Sequence, residues 1–356
     1  MARSVRRARI YRDRLVRLLA RGPKTPSELG LRAWLGVFRR TITEFIADDL
    51  NDRAASLTYY AIMSIFPGLV VLVSAAGLLD KSVTDEVIDN VRQLAPGPAR
   101  DIIVTGITDL QSRPGTSAII GLIALGVAFW SATGYIGGFM RAANAIYDVP
   151  EARPVWKTVP LQLLVTAVTG VGFAISALAV VFTGRFADWA GAAIGVEKQA
   201  LVVFNVAKWP VLTVLTLLLI ALLYWVSPNA RQGGFRWITP GSFLAVLAIA
   251  ALTTGFAVYI SQFDSYSRTY GTLGGVIVFL VWLWLTNIAI LVGAEFDAEL
   301  SRARAIVAGL PKDAEPYLPL RDLPKLPDQP QPSHHPVFAD EADADGKPAG
   351  GKPGER

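Results

Sequence analysis

Six long apolar windows, at residues 55–79, 117–143, 159–184, 201–226, 237–260 and 273–294, constrain this chain more than any other feature. Each is nearly free of charge and long enough, at about 1.5 Å per residue, to cross a hydrocarbon core of about 30 Å. Helices are required there, because lipid offers backbone N–H and C=O groups no partner. Charge is displaced to the flanks: 13 of the 34 Lys and Arg precede Ala54, and 10 of the 22 prolines lie at or beyond Pro311. Only 18% of all residues are charged, against roughly 25% in a soluble domain. The expected fold is all-α and integral to a membrane, with six transmembrane helices.

The cationic residues orient the bundle. Thirteen of them beside the first window place the N-terminus in the cytoplasm. Arg141, Arg153 and Lys157 flank the second loop and Arg231 and Arg236 the fourth; Arg185, Lys198 and Arg268 lie in the third and fifth. An even number of spans returns the C-terminus to the same side, so the topology reads N-in and C-in. The basic first fifty residues lack a short apolar core with a cleavage site, so the first window reads as a signal anchor that stays in place.

Three regions follow: a basic cytoplasmic arm (1–50), a six-helix membrane domain (51–300) and a Pro-rich cytoplasmic tail (301–356), expected to be disordered. In the arm, Tyr11, Leu15, Leu18 and Leu19 recur at helical spacing, as do Leu31, Trp34, Phe38, Ile42 and Phe45. The second set reads either as an amphipathic helix on the anionic leaflet or as a helix packed under the bundle. The first external loop, 80–116, is expected to hold two short helices, one opened by a Ser82–Asp85 capping box.

Much chemistry is excluded. There is no cysteine, and the two histidines, His334 and His335, sit in the tail. Neither a His-Glu-x-x-His pair nor a phosphate-cradling glycine loop occurs, so no metal site, cofactor or enzymatic activity is expected. The basic arm reads as topology and lipid attraction, and no nucleic-acid partner is expected.

Polar groups within spans remain, and ionisable ones are by default functional candidates. Arg53, Arg141 and Glu295 reach one level at the cytoplasmic edge, where Glu295 is expected to pair with Arg141 or Arg53. Such a pair reads either as a register lock or as a gate. Asn144 lies one turn beyond Arg141, and Asn287 two turns before Glu295 on a similar face. Tyr59 and Tyr60 precede Pro67-Gly68, where a kink or break is expected; they line an inward cavity or simply pack. Gly134, Gly137 and Gly138 allow close helix approach. Lys208 reads as snorkelling to the outer headgroups, with Pro210 starting the regular helix. Residues 266–275, with Arg268 and Tyr270, read as a tight loop able to bind an anion or as an external turn.

These residues resemble a known family, the YihY/BrkB inner-membrane proteins, often mislabelled ribonuclease BN. The resemblance rests on the run from Arg53 to Ala61 with Phe66-Pro67, on Trp130 through Asn144 and Tyr147, and on Pro228-Asn229 and Pro240-Gly241. It continues in Tyr266 through Val278, Trp282-Leu-Trp and Gly293-Ala-Glu-Phe-Asp-Ala-Glu299. The resemblance implies a bacterial cytoplasmic-membrane protein linked to envelope lipid or lipopolysaccharide export. The absence of a His/Asp metal cluster argues against the ribonuclease label. The leading functional expectation is a transporter or flippase-like exporter of an anionic amphipathic envelope lipid, with Arg53, Tyr59, Arg141, Asn144, Arg268, Tyr270, Asn287 and Glu295 as substrate or gate candidates. The alternative is a non-transporting membrane scaffold in envelope maintenance.

Overall fold

The computed structural model describes residues 2–77, 114–181, 198–234, 237, 239–261 and 264–323, with the single positions 85, 88, 104, 105 and 108. The two short helices expected within 80–116 lie outside the described residues, as does the tail beyond 323.

The described chain forms eight α-helices: α1 (Ala2–Arg21), α2 (Leu31–Ala47), α3 (Leu50–Gly77), α4 (Pro114–Ile146), α5 (Val155–Val181), α6 (Lys198–Val226), α7 (Thr239–Ser261) and α8 (Asp264–Val307). Six of them, α3 to α8, are long and apolar enough to cross a membrane. α3 runs through Pro67 as one unbroken helix, contrary to one form of the expectation. α6 likewise begins well before Pro210, which lies inside it.

α8 has 44 residues and so extends about 66 Å, roughly twice a hydrocarbon core. Its C-terminal third projects from one end of the bundle, here termed the base, and is wrapped there by both flanks. From Leu291 to Arg302 its residues are buried with one exception. α1 packs on it through Leu15 and Leu19. The Tyr11 hydroxyl donates to the Pro316 carbonyl at 3.1 Å, and Arg304 Nε donates to the Pro23 carbonyl at 3.0 Å. α2 presses Val37 and Trp34 against Phe296 and Leu300. The other face of α2 leaves Leu31, Leu35, Phe38, Ile42 and Ile46 exposed.

α8 continues to Val307, past the expected boundary at residue 300, and its end is set by Gly309. That residue holds φ 105°, a left-handed conformation open to glycine, while Leu310 N–H bonds back to the Ala305 carbonyl. Residues 310–323 then fold onto the base instead of leaving it. Tyr317 and Leu318 are buried, and Leu320 bridges Ala230 in an antiparallel contact. Part of the segment expected to be disordered is thus a strap across the base.

Close helix approach explains several glycines. At the α7–α8 crossing, a Cβ on Gly293 would lie 2.5 Å from the Gly241 carbonyl oxygen and 2.6 Å from the Tyr224 hydroxyl. On the opposite side, Gly134 and Gly138 of α4 admit Tyr60 and Leu57 of α3.

Candidate functional site

Charge is concentrated where α8 enters the base. Glu295, Asp297, Glu299 and Arg302 follow one another along this stretch and all are buried. Asp297 accepts the Gly241 N–H at 2.6 Å, and so caps α7 at the turn where that helix lacks internal partners. Glu299 pairs with Arg40 of α2 and with Arg302. Arg302 is a hub: it also reaches Glu44 at 3.6 Å, Asp148 at 3.9 Å and Glu315 of the strap at 2.9 Å, and stacks over Tyr317. One guanidinium therefore ties α2, the α4–α5 loop, α8 and the strap together.

A second knot locks the two base loops. Asn144 Nδ2 donates to Glu151 at 2.9 Å, while its Oδ1 accepts the Asn229 N–H at 2.7 Å. Arg153 donates to Glu151 and to the carbonyls of Val226 and Ser227. Asn229 in turn donates to the carbonyls of Pro150 and Asp322. Burial opposes the charge of Glu151, yet the bonds from Arg153 hold its carboxyl below the usual range.

A third knot sits inside the bundle. Asn287 accepts from the Tyr135 hydroxyl at 2.9 Å and donates to Thr58 and to the Leu283 carbonyl at 3.0 Å each. α3, α4 and α8 are thereby pinned one to another by one amide whose donors are both engaged.

The expected pair of Glu295 with Arg53 or Arg141 does not form. Arg53 Nε turns to the Asp48 carbonyl at 2.9 Å, closing the start of α3. Arg141 lies on the face of α4 turned away from Phe139 and Ala142, which fill the core. Glu295 makes no ion pair among the described residues, and its Oε2 has no hydrogen-bond partner. Tyr59 is 60% exposed with its ring edge-on to Tyr60, so it lines no closed cavity. Arg268 and Tyr270 have helical backbone in the first turns of α8, which replaces the expected loop; their side chains lie outside what is described. Lys208 does not snorkel: it is 5% exposed, with its ammonium over the Trp209 ring.

Sequence reasoning missed Arg302, Glu151 and the binding role of Arg153. The signal was present in part, because Glu295, Glu299 and Arg302 stand at i, i+4 and i+7 and so share one helix face.

Arg141 occupies a different setting. Its guanidinium is exposed and has no ion-pair or hydrogen-bond partner among the described residues. It lies over Gly137 and Gly138: Cβ positions built there fall 3.6 Å from Nη1 and Nη2 respectively, and the Gly137 position is 3.2 Å from Gln162 Nε2 of α5.

Comparison with known proteins decides the family. The model for the family described as virulence factor BrkB matches residues 41–316, from within α2 into the strap. The chain belongs to the BrkB family. This is the family that its residues resemble. The BrkB-family chain is 28% identical over 285 residues to the ribonuclease-like protein YfkH of Bacillus subtilis (strain 168), covering 80% of this chain and all of that one. It is 27% identical over 283 residues to a UPF0761 membrane protein of Alteromonas mediterranea, covering 77% and 89%. A UPF0761 membrane protein of Alkalilimnicola ehrlichii is also 27% identical, with 76% of this chain and 60% of that one covered. No solved structure matches. Among the described residues of this BrkB-family protein, no group of three or more His, Asp or Glu is placed to hold a metal ion.

Asp148 gives the base a pH dependence. It ends α4 in the left-handed conformation, φ 50°, with Val149 N–H bonded to the Asn144 carbonyl. Burial, reinforced by Glu315 and partly offset by Arg302, pushes its carboxyl up to about 7. The ordinary value is about 3.9, so the folded protein holds this proton more tightly than the unfolded chain does. Its contribution to stability is therefore fullest below about pH 4 and is lost as the pH rises toward 7. Asp148→Asn is expected to flatten that part of the stability profile in detergent melts between pH 5 and 8. An unchanged slope would assign the effect elsewhere. Asn also suits the left-handed site, so no loss of stability is expected.

Proposed function

We propose that this BrkB-family protein lies in the cytoplasmic membrane, with both termini in the cytoplasm, and moves an anionic amphipathic envelope lipid between leaflets. The observation that carries this reading is one-ended packing. Buried residues crowd the base halves of the spans: Leu50, Ala54 and Leu57 in α3, Phe139, Met140, Ala142 and Ala143 in α4, and Ile220, Ala221, Leu223 and Tyr224 in α6. The opposite halves expose Met63 and Phe66, Ile119 and Leu122, and Val206 and Val211. Burial among the described residues of the spans is thus concentrated toward the base, and a carrier with alternating access needs one sealed end.

The test is reconstitution in vesicles containing fluorescent phosphatidylglycerol, followed by quenching from outside. Lipid movement above that of empty vesicles is expected, and a rate equal to theirs overturns the reading.

A second reading, a non-transporting scaffold in envelope maintenance, draws on the strap. Residues 310–323 are held on the base by Arg302, Asn229 and the Lys157–Asp322 pair. Truncation after residue 323 separates the two: a scaffold loses its function in cells, whereas a carrier keeps transport.

A further inference from the structure

We infer that Arg141 and Gln162 form the phosphate-binding end of a lateral site for an anionic phospholipid, on the outer surface of the bundle between α3 and α5. This deepens the lipid-carrier reading and rests on it only for the purpose of the site, not for its existence. The argument begins with direction. α4 runs toward the base, and helical side chains lean toward the N-terminus of their own helix. Arg141 therefore leans away from the base and into the membrane, and its guanidinium lies across the turn formed by Gly137 and Gly138. An arginine near a membrane surface ordinarily reaches for water. This one lies in the other direction.

No described residue supplies its partner. Arg141 is exposed, and no carboxylate or carbonyl of the described residues engages it, although a guanidinium carries five donors. Glu295, the carboxylate at a comparable level, is buried in the core instead. An uncompensated charge at this depth is costly, and an anion brought by the lipid phase answers it. Gln162 Nε2, beside the same glycine turn, adds a neutral donor to the fork of the guanidinium.

The surroundings select a lipid over a free anion. Tyr60 and Leu57 of α3 cover Gly134 and Gly138, and Gln162 of α5 covers Gly137, so the guanidinium lies on a closely packed surface of α3, α4 and α5. Ile123, Val127, Trp130 and Arg141 fall on one face of α4 at helical spacing and are all exposed, Trp130 by 81%. A phosphate held at Arg141 would let an acyl chain run over the exposed side chains of this face toward Trp130. The cation at one end and the apolar track leading from it match a phospholipid headgroup and its tail.

The experiment is native mass spectrometry of the full chain in detergent, titrated with phosphatidylglycerol, phosphatidylcholine or inorganic phosphate. Wild type is expected to retain phosphatidylglycerol over phosphatidylcholine, and Arg141→Ala to weaken that binding about tenfold, the worth of one charge-assisted contact. Gln162→Leu is expected to weaken it less and Arg231→Ala, which removes an exposed base arginine, not at all. Equal retention by Arg141→Ala and wild type at unchanged melting temperature overturns the site. Displacement of the lipid by millimolar inorganic phosphate overturns its assignment to lipid. If Arg141→Ala itself fails to fold, an unchanged affinity in Gln162→Leu overturns the shared site. Loss of binding in Arg141→Ala, in a protein whose wild type moves no lipid, upholds the site and rejects the carrier reading. Transport that survives together with binding in Arg141→Ala rejects the site alone.

Discussion

Gly293→Val is expected to leave little folded protein, while Gly170→Ala leaves the protein as stable as before or slightly more so. Both are glycines inside spans, and composition does not distinguish them. At Gly293 even a methyl group would meet the Gly241 carbonyl oxygen at 2.5 Å, the Tyr224 hydroxyl at 2.6 Å and the Ala245 methyl at 2.9 Å. The nearest of these is backbone and cannot rotate aside. Tyr224 is held as well, since its hydroxyl donates to the Ile290 carbonyl and its ring stacks on Phe139. Overpacking a tight core costs about 1–3 kcal/mol, and a branched side chain against a fixed oxygen lies at or beyond the top of that range. The displaced helix also carries Asp297, so the cap on α7 is lost with it. Gly170 has nothing within 4 Å, and alanine there gains up to about 1 kcal/mol of helix propensity. Fluorescence-detected size exclusion with a temperature ramp reads both. Equal behaviour of the two variants would refute the crossing geometry.

The second large effect is expected at Arg302. Arg302→Met keeps the length of the side chain and removes the charge that Glu299, Glu44, Asp148 and Glu315 share. Glu299 is the costly survivor, being 2% exposed with Arg40 as its remaining cation. Removing one partner of a buried ion pair costs about 3–5 kcal/mol, because the other charge stays buried. Glu44, Asp148 and Glu315 are each about a third to a half exposed, and solvent screens their share. The strap should loosen first, since Glu315 and the stacked Tyr317 lose their anchor. Limited proteolysis between residues 308 and 323 is expected to accelerate before the spans unfold. Adding Glu299→Gln to Arg302→Met is expected to recover part of the loss. A double variant no better than the single one would show that Glu299 is not the source of the cost.

The six spans were legible because hydropathy over a window is a local property. The expected window at 201–226 ends on the last residue of α6, and that at 237–260 differs from α7 by two residues at its start and one at its end. Helical spacing likewise announced α1 and α2. The last window, ending at 294, stopped short because the charges from Glu295 onward read as the water boundary. α8 instead carries them onward into a protein-lined base. The strap was missed for a related reason. Its composition is that of a disordered segment, and its order derives from Arg302, Asn229 and Tyr317 meeting surfaces distant in the chain.

The candidate residues divide in the same way. Asn287 and Glu295 were expected on a similar face of the last span and both are buried, since a helix of known period dictates which residues share a side. Partner choice was not dictated: Arg53 went to a backbone carbonyl, Asn144 to Glu151 and Asn229, and Arg141 to the outer surface.

The amino-acid order alone thus determined six membrane-length helices, the amphipathic arm and the family, because length, period and apolarity act within one segment. Only the tertiary structure decided that Arg302 of α8 ties Glu299 to Glu44, Asp148 and Glu315, while Arg141 has no partner among the described residues. Which groups meet depends on how far each helix is rotated and how closely it approaches its neighbour, and the Gly241–Gly293 crossing sets that approach where α7 and α8 enter the base.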